Sequence, residues 1–127
     1  MKKGQASLEY LIITMVALAL ITFSVFALFS VKNAADNSTN SVKFRASSGA
    51  LFDSVKEVCI LGSGNSQKIV LETTLNASVD SNGALVLSSG YGNFTRGEKT
   101  KCEVNTPTTL SGQVLIENSD GKITLSD

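Results

Sequence analysis

The chain has no histidine, no tryptophan and one proline, and its eleven basic residues are matched by eleven acidic ones. Without histidine there is no side chain that ordinarily titrates near neutral pH and no imidazole to ligate a metal. No carboxylate pair clusters at a spacing suited to acid–base chemistry, and no nucleophile elbow is present. The glycine-rich stretches Gly62–Asn65 and Gly90–Gly97 lack the lysine and following helix of a phosphate loop and read as turns. Zero net charge argues against a nucleic-acid binder, whose affinity rests on neutralising phosphates. These absences lead us to expect no enzyme, no metal and no cofactor.

What the chain does have is a long apolar run near its start. From Leu11 to Val31 no charge, glycine or proline occurs, and only the hydroxyls of Thr14, Thr22, Ser24 and Ser30 interrupt the apolar side chains. A helix of roughly 20 residues, at about 1.5 Å each, crosses a bilayer. The hydroxyls are tolerated because they can bond the carbonyl about four residues back in the same helix. A secretory signal has a shorter apolar core, followed by a small-residue cleavage site. Here the small residue, Gly4, precedes the run, so cutting after it would remove the basic tip and keep the helix. Lys2 and Lys3 flank the span and predict a cytoplasmic start, which places the remainder of the chain outside.

The segment Lys2-Lys3-Gly4-Gln5-Ala6-Ser7-Leu8-Glu9 resembles the class III signal peptide of archaeal type IV pilins, with Gln5, Ser7 and Glu9 matching its motif. In the motif's last place Ile13 stands for leucine, a volume-conserving exchange. The resemblance implies that a prepilin peptidase cleaves between Gly4 and Gln5. Loss of Lys2 and Lys3 would leave nine basic against eleven acidic side chains. It also implies a role for Ser7 and Glu9 in processing or assembly. Glu9 would neutralise the new amino group of Gln5, within a subunit or on a neighbour. Independently of any family, a carboxylate at a helix N-terminus is favoured by the macrodipole.

Beyond Val31 the segment from Lys32 to Ser41 is polar, and reads either as a loop or as a solvated continuation of the helix. Helical spacing then returns at Phe44, Ser48, Leu51, Val55 and Val58 or Cys59. After Cys59 the period becomes two. Ile69, Leu71, Thr73 and Leu75 alternate with Lys68, Val70, Glu72 and Thr74, and Leu85/Leu87, Val114/Ile116 and Ile123/Leu125 repeat the pattern in short runs. Turn signals at Gly62–Asn65, Asn82-Gly83, Gly90–Asn93 and Asp120-Gly121 separate them. We therefore expect an α+β fold in which a long N-terminal hydrophobic helix is followed by a small antiparallel sheet or sandwich head of five to seven strands. The expected divisions are a leader over 1–4, a helix over 5–58 with its membrane or filament-core part at 11–31, and a β-rich head over 59–127.

Cys59 falls where the helix should enter the first strand and Cys102 in a strand over 99–104. An external location favours a disulfide between them over two buried thiols. Three sequons, at Asn37, Asn76 and Asn93, lie on the expected outer side, and the family resembled is commonly glycosylated.

The function this implies is the structural subunit of an archaeal type IV pilus. It would sit in the membrane before assembly, then be polymerised by an assembly ATPase and a membrane platform into a homo-oligomeric adhesive filament on the cell surface. Two alternatives stay open: a single-pass membrane-anchored extracellular binding domain that never polymerises, and a minor pilin or archaellin-like filament subunit.

Overall fold

The computed structural model describes residues 2–90 and 94–127, without the side chains of residues 2, 3, 5 and 6. One helix, α1, spans Lys2–Leu61. It runs without interruption through the polar stretch 32–41, which settles the choice between loop and helix, and it ends beyond the expected limit at residue 58. Among the described residues eight strands follow, more than the five to seven expected: β1 Ser66–Val70, β2 Leu75–Val79, β3 Ala84–Ser89, β4 Thr95–Lys99, β5 Glu103–Asn105, β6 Thr109–Leu110, β7 Gln113–Ser119 and β8 Lys122–Ser126. The layout is the α+β arrangement expected, a long N-terminal helix and then a small β-rich head. The chain divides into two compact units, residues 1–38 and 39–127.

In the second unit the strands form two four-stranded sheets. One has the order β1-β7-β8-β5 and the other β4-β3-β2-β6. Neighbours are antiparallel, except that β5 runs parallel to β8. The alternation seen in the sequence becomes an inward face. Val114, Ile116 and Asn118 of β7 are buried, as are Ile123 and Leu125 of β8, Leu85 and Leu87 of β3, and Leu75 and Ala77 of β2. The register places Ile116 opposite Leu125 and Ala77 opposite Leu87, so each sheet presents cross-strand apolar pairs. Phe44, Leu51, Phe52, Val55 and Val58 of α1 join these residues in a single core.

Two local readings need correction. The alternation over 68–75 is not one strand. It is split between β1 and β2, which belong to different sheets. The crossing residues keep their bonds, because the Leu71 amide donates to the Gly112 carbonyl at 2.8 Å and the Glu72 amide to Ser47 Oγ at 3.1 Å. Inward alternation thus persists while the strand changes sheet, as at the corners of other sandwiches. Cys102 likewise lies in the bend between β4 and β5, not within a strand over 99–104.

The end of α1 is held by asparagines. A helix cannot satisfy its last four carbonyls internally. Here Gly62 takes a left-handed φ of 87°, the usual conformation just past a helix C-terminus. Asn65 Nδ2 donates to the carbonyls of Leu61 at 2.9 Å and Gly62 at 3.1 Å. Buried Asn118 donates from Nδ2 to the Val58 carbonyl at 3.0 Å, and its Oδ1 accepts from the Gly121 amide at 3.1 Å.

Candidate functional site

The first unit offers a surface rather than a pocket. From Leu8 to Val31 every large apolar side chain is exposed, Phe23 at 74% and Phe26 at 75% among them. The hydroxyls turn inward on the backbone: Thr22 Oγ1 and Ser24 Oγ each donate at 2.8 Å to the carbonyls of Leu18 and Leu20. Thr14 Oγ1 does the same toward Leu11 at 3.2 Å and toward Tyr10. Three of the four hydroxyls in the run, those of Thr14, Thr22 and Ser24, are thus satisfied by the helix itself. The segment is long and apolar enough to cross a membrane, and it is compatible with a single-pass anchor.

The residues expected to act at its start all fall on α1. Gly4, Ser7 and Glu9 are exposed, and the side chains of Lys2, Lys3 and Gln5 lie outside the described residues. Among the described residues Glu9 has no ion-pair partner. An exposed carboxylate one residue before an apolar run is free to meet a partner from another chain.

In the second unit the sulfur atoms of Cys59 and Cys102 are bonded, with Cα atoms 6.0 Å apart. The bond fastens the last turn of α1 to the chain just before β5. Of the sequon asparagines, Asn37 is exposed on α1, and Asn76 is exposed within β2, a strand flanked by β3 and β6. Asn93 lies outside the described residues.

Several residues that shape the head were not singled out from the sequence. Phe52 is fully buried, and the Arg96 guanidinium sits 5.2 Å from the centre of its ring. Its helical spacing of eight residues from Phe44 was the available signal. Arg96 Nη2 also lies 3.7 Å from Glu98 Oε2, and Glu98 pairs with Lys56 through its other oxygen. This helix-to-strand ion network had no signal in local spacing. Among the described residues no three His, Cys, Asp or Glu side chains gather in a way that would hold a metal ion.

Together these features define a protein class by layout: a single apolar N-terminal helix joined to a small, disulfide-fastened head of two sheets. No family model, curated protein or solved structure matches the chain.

Proposed function

We propose that the chain is the structural subunit of an archaeal type IV pilus. A prepilin peptidase would process it between Gly4 and Gln5, and an assembly ATPase with its membrane platform would polymerise it through α1 into an adhesive surface filament. The observation that carries the reading is the uncovered run of large apolar side chains over 8–31, on a helix that begins with the Gln5, Ser7 and Glu9 motif.

The physical logic is a transfer between two apolar environments. Each large side chain left in water costs roughly 1.5–3 kcal/mol relative to burial, so a span of this length passes from lipid directly into a bundle of like helices. For the apolar surface that hand-off is nearly neutral, which leaves packing and charge to decide it. Lys2 and Lys3 would bring unpaired positive charge into the bundle, and cleavage removes them. Glu9 would then pair with the amino group of Gln5, in the same subunit or a neighbour. Asn37 and Asn76, both exposed, are the described candidates for glycan attachment.

The test is intact-mass and N-terminal peptide analysis of the protein from sheared surface filaments. A mature end at Gln5, open or cyclised, in the filament fraction is the expected result. A chain that keeps Lys2-Lys3-Gly4 and stays in membranes would replace this reading with the anchored, non-polymerising domain.

A further inference from the structure

The last turn of α1 carries an apolar pair that the head leaves uncovered. Ile60 is 82% exposed and Leu61 60%, and among the described residues no large apolar side chain is more exposed than Ile60. Ile60 lines two neighbouring hollows that carry charges of opposite sign, and Leu61 extends the apolar surface on the acidic side. On one side a hollow is lined by Asp53, Glu57, Ile60 and Leu61. On the other, Ile60 shares a hollow with Cys59, Lys99, Thr100 and Lys101. Lys56 borders both hollows, and Glu98 already neutralises it. Asp53, Glu57, Lys99 and Lys101 are all exposed and, among the described residues, make no ion pair. The disulfide holds the two flanks side by side, because Cys59 belongs to α1 and Cys102 directly follows Lys101.

We propose that this surface docks a second copy of the same chain, the acidic flank of one head meeting the basic flank of the next across Ile60 and Leu61. Charge complementarity selects the occupant. A partner of one charge sign would be repelled by one flank, whereas another copy supplies both signs in the same spacing around the same apolar pair. Two copies facing each other about a two-fold axis set each acidic flank against the other's basic flank with the apolar pairs at the centre, an isologous contact. Apolar pairing at the centre excludes water, and the four charges fix which copy edge is accepted. The contact goes beyond the pilus reading, since two anchored chains in one membrane can meet in this way without a filament.

The test mixes light and heavy isotope-labelled full-length chains in one cell and applies a zero-length carbodiimide cross-linker to membranes and sheared filaments. The expected product is a light–heavy peptide pair joining Lys99 or Lys101 to Asp53 or Glu57. Glu57→Lys and Lys101→Glu should each lose much of that product, and the double variant E57K/K101E should recover it through the reversed pair. Both positions are exposed, and recovery in the double variant also excludes misfolding as the cause of the loss. Absence of the light–heavy pair from both fractions, or no recovery in the double variant, overturns the contact. A pair found in membranes without any filament keeps the contact and defeats the pilus reading.

Discussion

At the scale of single residues, Phe52 and Asn118 carry different parts of the head. Phe52 fills the centre of the core from the helix side, fully buried and capped by the Arg96 guanidinium. Truncation leaves a cavity that close-packed neighbours fill only in part, so Phe52→Ala should cost about 3–5 kcal/mol. The thermal midpoint of the full chain in detergent would fall well below that of the parent, and an unchanged midpoint would deny the ring its central place. Asn118 acts through polarity instead. Its Nδ2 serves the Val58 carbonyl, one of the four that α1 cannot satisfy itself. Asn118→Leu keeps the volume but strands that carbonyl, which should cost about 1–3 kcal/mol. Hydrogen exchange should then quicken at the last turn of α1 and in the Asp120-Gly121 turn, whose Gly121 amide loses its acceptor.

At the scale of elements, the disulfide closes a loop with a sequence separation of 43. By the chain-entropy account a loop of that length contributes roughly 4 kcal/mol. Chemical denaturation of the Cys59→Ser/Cys102→Ser double variant should show a loss of about that size, and a midpoint equal to the parent's would remove the bond from the list of stabilising features. The helix and most strands were legible because burial imposes a period. Leu85 and Leu87, Val114 and Ile116, and Ile123 and Leu125 alternate in the sequence and face inward in the structure. What period cannot show is which sheet a strand joins. Ile69, Leu71, Thr73 and Leu75 keep strict alternation across the crossing from one sheet to the other, so the break at Leu71 left no local mark. The two-residue β6 and the three-residue β5 are too short for any period, and their pairing partners are distant in the chain. The same limit hid the Lys56–Glu98–Arg96 network, which joins α1 to β4 over 40 or so residues of chain.

At the scale of the whole molecule, the chain must live in two solvents. Residues 8–31 suit lipid or other helices, whereas the head has its own water-facing surface around a closed core. The full chain should therefore remain with membranes after alkaline carbonate extraction and leave them in detergent. Release by carbonate alone would contradict the anchoring role of α1. A charge placed mid-span, as in Leu20→Asp, should weaken insertion by roughly 3–4 kcal/mol on the translocon scale, read as a shift of the chain from the membrane to the soluble or degraded fraction.

The bond between Cys59 and Cys102 also has a mechanical meaning. Tension that enters the head along α1 and leaves through β5 and the strands after it passes directly across the sulfur atoms. The chain between the two cysteines, with β1 to β4, then lies outside the covalent load path. Those strands then feel a pull through the hydrogen-bonded ladders that join β1 to β7 and β2 to β6.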